Sequence, residues 1–279
     1  MLARRRILLA AMALGGGVRP ALAQGGSRPD WLATAPRERL TDRFAPPPGH
    51  RRLALAEDHF GTWLRALPLR PAGSPILLHS GRPRADQGGA AAIVDIDVGR
   101  ADLQQCADAV IRLRAEYLRA SGRTHALAFR FTNGERYAYA DYLAGRRPRP
   151  RGNAIVWASA GRSSDTRAAF RAWLDLVFIY AGTISLAREL RRVGDPSRIE
   201  PGDVLIQPGS PGHAIIAVDV AERDGARAAL LAQSFMPAQS IHVLRGPMAG
   251  AWHAVTDGAA IHTPDWRFAA ADLRRFPPA

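Results

Sequence analysis

The sequence contains no lysine: all 38 basic residues of the 279-residue chain are arginine. That absence excludes a lysine Schiff base, a lysine general base and the lysine of a phosphate-binding P-loop. Cysteine is nearly as scarce. A single residue, Cys106, excludes an intramolecular disulfide, a multi-cysteine zinc site and a CxxC redox pair. The eight histidines form no HExxH or HxH pair, so no metal is expected, and no feature calls for a cofactor. No repeat of fixed period is visible. Acidic residues number 25, leaving a formal charge of +13. The arginines are scattered rather than gathered with aromatics on a recognisable module, so nucleic acid is not an expected partner. A weaker attraction to anionic envelope polymers or lipid follows if the chain is exported.

What is present is an ordinary globular composition, 47% apolar and 23% charged, with chain enough for one large domain or two small ones. The N-terminus reads as an export signal. Arg4, Arg5 and Arg6 form a basic region, Ile7 to Gly15 a short apolar run, and Ala21-Leu22-Ala23 a small-x-small cleavage site. The apolar run is too short to span a bilayer, and the arginines leave Sec and twin-arginine export both open. The expectation is a signal peptide over residues 1–23 and a periplasmic or secreted protein. Its mature chain would have no transmembrane segment, and its oligomeric state is open. Residues 24–50, rich in Pro, Gly and Arg, read as an extended arm, and 51–279 as one domain.

Within that domain, Leu53 to Leu67 has helical spacing, Ile76 to Leu78 reads as a short strand, and Ala91 to Val98 as a strand. Residues 102–118 are the clearest helix, with Asp102 as N-cap and Gln105 completing a capping box. Strands are expected at 126–131 and 155–157. A long helical segment is expected over 166–192, with a break near Gly182. After Gly202 come successive strands at 204–206, 213–220, 228–234 and 240–244, with a hairpin turn at Asp224-Gly225. Helices first and strands after imply an α+β fold, an antiparallel sheet packed against helices.

Two residues carry candidate chemistry. With Asp102 as cap, Cys106 falls in the first turn of its helix, where free N–H groups and the dipole favour a thiolate. Its helical face, shared with Val110, Leu113 and Tyr117, also suits an inert core thiol. An unpaired thiol in an oxidising compartment is a liability unless buried or used. His213, in Pro211-Gly212-His213, opens a strand beside a turn, where it can serve as a base. Its partner on the next strand falls near 233–236, making Gln233 or Ser234 the orienting group. An amide holds an imidazole tautomer without adding charge, which favours Gln233.

The segments 102–108, 112–118, 180–183, 202–204, 211–214 and 232–239 together resemble a family of exported bacterial proteins, domain of unknown function 4846, from about Phe60 to Phe276. The order of cysteine helix, Gly202-Asp203, Gly212-His213 and a polar third residue also resembles NlpC-type papain-fold cysteine hydrolases. That resemblance implies Cys106 as nucleophile, His213 as base and Gln233 as orienter. It also implies a papain-like arrangement with a helical insertion between the cysteine helix and the histidine strand. Gln105-Cys106-Ala107-Asp108 stands where those enzymes carry Asp-Cys-Ser-Gly. The functional expectation is an exported cysteine-dependent amide hydrolase, a cysteine peptidase or amidase acting on peptides such as those of peptidoglycan. Gln104 or Gln105 would help an oxyanion, and Asp203 and Ser234 would support the site. The competing expectations are a non-catalytic envelope protein that binds a peptide or glycan, and an assembly factor that contacts acidic surfaces.

Overall fold

The computed structural model describes residues 29–278 apart from Asn153 and Asp257, so the expected signal peptide lies outside the described residues. In chain order the elements begin α1 (Leu40–Arg43), β1 (Arg51–Arg52), α2 (Phe60–Arg65), β2 (Ala90–Ile93) and α3 (Cys106–Ala120). They continue with β3 (Ala128–Arg130), β4 (Arg136–Ala138), α4 (Tyr139–Leu143), β5 (Arg146–Arg151), β6 (Ala154–Ser159), α5 (Arg167–Tyr180) and α6 (Thr183–Glu189). The remainder is β7 (Arg191–Arg192), β8 (Val204–Gln207), β9 (His213–Arg223), β10 (Ala226–Gln233), β11 (His242–Leu244), β12 (Trp252–Val255), β13 (Ile261–His262), β14 (Arg267–Phe268) and β15 (Leu273–Arg275).

The fold is α+β. Nine strands form one antiparallel sheet in the order β2-β11-β10-β9-β8-β15-β7, with β1 added to β9 and β12 to β10. The hairpin β9–β10 is its spine. Asp224 and Gly225, both at positive φ (50° and 82°), make the two-residue turn whose twist matches the flanking strands. Alternation along β9 splits the core in two. Ala214, Ile216 and Val218 join the large core that α3 packs against, whereas Ile215, Ala217 and Val220 join a smaller core on the other face. The β13–β14 hairpin contributes Ile261 and Phe268 to that second core.

Helix α3 is buried on every side from Cys106 to Leu118, because the sheet lies on one flank and helices and hairpins on the others. A charge buried there is costly unless it is paired, and Arg112 is. Arg112, 0% exposed, donates to Glu116 (2.7 Å), Asp97 (2.9 Å) and Gln104 (2.8 Å), and Arg167 from α5 donates to Glu116 (2.6 Å).

Several local expectations shift for tertiary reasons. The helix expected from Leu53 is α2 and begins at Phe60, because Arg51 and Arg52 pair with β9, Leu53 N donates to Val220 O and the His59 ring accepts from Gly61 N (2.9 Å) as the cap. Residues 76–78 make isolated bridges only, with Ile76 N donating to the Gln87 side chain (2.7 Å). The expected arm is folded from Leu40 onward: α1 forms there, and Leu40 and Phe44 belong to the large core. The break near Gly182 occurs as expected, α5 and α6 bending by 103°. Among the described residues, no single helix is long and apolar enough to cross a membrane.

Candidate active site

Cys106 is the first residue of α3 rather than the fifth. Gln105 is the N-cap, and its N–H donates to the Asp108 carboxyl (3.1 Å). The capping-box spacing occurs twice in this segment, Asp102 with Gln105 and Gln105 with Asp108, and the fold uses the second. Asp102 is released to accept from Ala238 N (2.6 Å) and from the Gln105 side chain (3.1 Å). It thereby ties the loop after β10 to the helix start.

The thiol lines an open cleft of about 450 Å³ between the α3 N-terminus, the α5–α6 bend and the Gly209–Gly212 turn. Ile179 and Met236, two of the few exposed large apolar side chains (53% and 55%), lie on its walls. Cys106 itself is 7% exposed. Burial pushes the thiol above its ordinary range, and the backbone N–H of Ala214 opposes that rise. Desolvation therefore outweighs the helix-start effect, and the resting sulfur is a thiol.

Gly212 must be glycine for His213 to sit where it does. A Cβ there would lie 2.6 Å from Gly209 O and 2.8 Å from Thr183 Oγ1. His213 shares its face with Ile215 and Ala217, and its ring meets Phe235, Trp266 and Phe268 at centroid distances of 4.9, 5.2 and 5.9 Å. Its Nε2 lies 2.8 Å from Gln233 Oε1. The choice between Gln233 and Ser234 is thus decided by strand parity. Ser234 points to the opposite face and donates to Gln239 O (2.8 Å).

The tautomer follows from the surrounding network. Gln233 Nε2 donates to Asp265 Oδ2 (2.6 Å), and the same nitrogen is 3.3 Å from His242 Nε2. His242 Nδ1 donates to Ser240 O (2.9 Å), so His242 Nε2 is an acceptor. Both amide protons of Gln233 are committed, its oxygen must accept, and His213 carries its proton on Nε2. Nδ1 is then the basic nitrogen. Arg84 holds Asp265 (2.5 Å); burial raises that carboxyl, but the bond and charge of Arg84, with the Gln233 bond and His242, together outweigh it and the net shift is downward. Burial lowers His213 against the Gln233 bond, and lowers His242 to about 4. Both rings are neutral near pH 7.

Cys106 and His213 converge on the start of β9, the sulfur at Ala214 N–H and the imidazole one residue earlier. They arrive from opposite faces of the sheet. Among the described residues, no hydrogen bond joins Sγ to the imidazole, and His213 is 1% exposed. Gln104 is 0% exposed and is not among the residues lining the cleft; its oxygen accepts from Arg112, and its Nε2 has no partner among the described residues. Gln105 does line the cleft. Asp203 lies away from it, accepting from Arg275 (2.6 and 2.8 Å) and Glu200 N (2.8 Å). Sequence reading missed Asp265, Arg84, His242 and Asp108. The β10–β11 pairing of Gln233 with His242 was the one readable signal; Asp265 lies in a short irregular stretch with no periodicity. Asp108 lines the cleft, and burial pushes its carboxyl up to about 8. Among the described residues, no cluster of three or more His, Cys, Asp or Glu side chains is arranged to hold a metal ion.

Fold and site together define an α+β protein in which a lone thiol opens a buried helix at the wall of a cleft, beside a His–Gln–Asp–Arg relay whose His and Gln are buried and whose Asp and Arg are half-buried. The chain matches the family model described as Domain of unknown function (4846) over residues 40–275, and it belongs to that family. No curated protein and no solved structure matches it.

Proposed function

We propose that the protein is an exported cysteine-dependent amide hydrolase with a papain-like, NlpC-type arrangement, acting on peptides such as those of peptidoglycan. The observation that carries this reading is the junction at the start of β9. The Cys106 sulfur meets the N–H of Ala214, next to a histidine whose Nε2 is held by Gln233 and whose Nδ1 is left as the base. In the reaction Sγ attacks the carbonyl carbon as its proton passes to His213 Nδ1. The tetrahedral oxyanion is met by the Cys106 N–H at the helix start, with the Gln105 side chain beside it. Collapse expels the amine, which takes the proton from His213. Water then attacks the thioester with His213 again as base, releasing the acid and restoring the thiol. Because ring and sulfur stand on opposite faces, the proton reaches Nδ1 through a bridging water at the strand end, while Gln233 keeps its hold on Nε2. The apolar walls at Ile179 and Met236 suit a peptide side chain. Residues 1–23 serve as the signal peptide in this reading, and the product works in the periplasm or outside the cell.

The test is turnover of a purified peptidoglycan peptide digest by the full mature chain. Cys106→Ala is expected to abolish new amine release, and iodoacetamide to inactivate the wild type. Unchanged turnover in Cys106→Ala overturns the proposal. A second reading, a non-catalytic binder of peptide or glycan in the same cleft, is favoured by one observation: the thiol is neutral and 7% exposed. Saturable binding of the digest without product, equal in wild type and Cys106→Ala, would establish it instead.

A further inference from the structure

A second cavity, about 390 Å³, opens where α3 passes the C-terminal segment. Its volume falls in the range of roughly 300–1,000 Å³ usual for small-molecule sites. It is distant from the cleft, since Arg114 lies eight residues beyond Cys106, about 12 Å along the helix axis.

The cavity is lined by four arginines whose charges are unequally compensated. Arg123 pairs with Asp58 (2.5 Å). Arg275 pairs with Asp203 (2.6 Å) and Glu200 (2.7 Å). Arg114 is only 8% exposed, yet among the described residues it has no carboxylate partner. Its guanidinium lies 5.0–5.3 Å from the ring centres of Phe60, Tyr117 and Phe276, and its one hydrogen bond runs to Pro277 O (3.3 Å). A buried cation held by rings and one carbonyl keeps most of its five donors for another acceptor. The second uncompensated cation is Arg191. It stands directly opposite Arg275 across the β7–β15 pair, and like charges directly opposite destabilise a sheet. Among the described residues Arg191 has no acidic partner either, and it lines the same cavity.

We propose that this cavity binds an oxyanion, a phosphate or carboxylate group carried by a small molecule, with Arg114 and Arg191 as its two cationic contacts. Planar guanidinium forks match the paired oxygens of such groups, and the aromatic floor excludes water from one side of the anion. The anion neutralises the two charges that the protein leaves unpaired, and its carrier fills the rest of the volume.

The experiment is calorimetric titration of the full mature protein with inorganic phosphate, and separately with acetate, at constant ionic strength. Saturable one-site binding of at least one anion is expected. Which anion binds more tightly distinguishes a phosphate ligand from a carboxylate one. Loss of one charge-assisted contact is expected to weaken binding about tenfold in Arg191→Gln. That side chain is exposed, so folding is not at risk. Arg114→Gln is expected to remove binding, with circular dichroism to confirm that it folds. Arg162→Gln, exposed and outside the cavity, is expected to bind as wild type. No saturable binding of either anion, or equal weakening by Arg191→Gln and Arg162→Gln, overturns the proposal. Neither outcome bears on Cys106.

Discussion

Replacing Asp265 by asparagine tests the relay behind His213 at its controlling atom. In the native protein Asp265 accepts from Gln233 Nε2 at 2.6 Å and from Arg84 at 2.5 Å. An asparagine oxygen in the same position stays with Arg84, the stronger donor. Its NH2 then faces the NH2 of Gln233. The least costly escape is a flip of the Gln233 amide, which turns a donor toward His213 and demands that the imidazole carry its proton on Nδ1. One unmet buried donor costs about 1–3 kcal/mol, so the Nε2–H tautomer becomes disfavoured by roughly 5- to 150-fold. The histidine nitrogen shifts in a heteronuclear NMR spectrum read this without any substrate. Wild type should show His213 protonated on Nε2, and Asp265→Asn should show it on Nδ1. If the protein is the hydrolase proposed above, kcat falls by the same factor while KM holds, because the base nitrogen is blocked and the cleft is untouched. A wild-type Nδ1–H tautomer, or no change of tautomer in the variant, refutes the reasoning.

Two stability predictions rest on other buried titratable side chains. Burial lifts Asp108 from 3.8 to about 8, so the unfolded chain loses this proton at lower pH than the folded one. The resulting stabilisation is complete below the unfolded value and is lost as pH rises toward 8. Asp108→Asn, which cannot ionise in either state, is therefore expected to be more stable than wild type at pH 7 by a few kcal/mol, on the order of 3, and equal to it near pH 4. Urea titrations at the two pH values check this, and equal stability at pH 7 rejects it. Glu116→Ala strands Arg112, 0% exposed, with Asp97 as its remaining carboxylate, and should cost about 3–5 kcal/mol in urea unfolding at pH 7. A loss under about 1 kcal/mol would mean that the pair is screened as a surface pair is.

Local signals located the elements better than they located their ends. Helix α3 was legible because its capping residues and apolar spacing agree, yet its start moved from Asp102 to Gln105, since both caps are chemically adequate and only the Ala238 contact tells them apart. Leu53 to Leu67 reads as helical by period, but Leu53 N donates to Val220 O and continues the β1–β9 edge instead. The Asp224-Gly225 turn was readable outright, because few residues tolerate its backbone angles. From the site, His213 and Gln233 were legible as strand neighbours. Asp265 was not, because a side chain between two short strands has no periodic neighbours to reveal where it points.

By itself the sequence determined what chemistry is available: one thiol, no lysine, a histidine behind a Pro-Gly turn, and an α+β order of elements. These follow from residue identity and from local backbone preference, which act over a few positions. Only the tertiary structure decided which strand face each polar side chain takes, which carboxylates are neutral, and that sulfur and imidazole approach β9 from opposite sides. Those facts depend on register and desolvation, and both are set by partners far away along the chain.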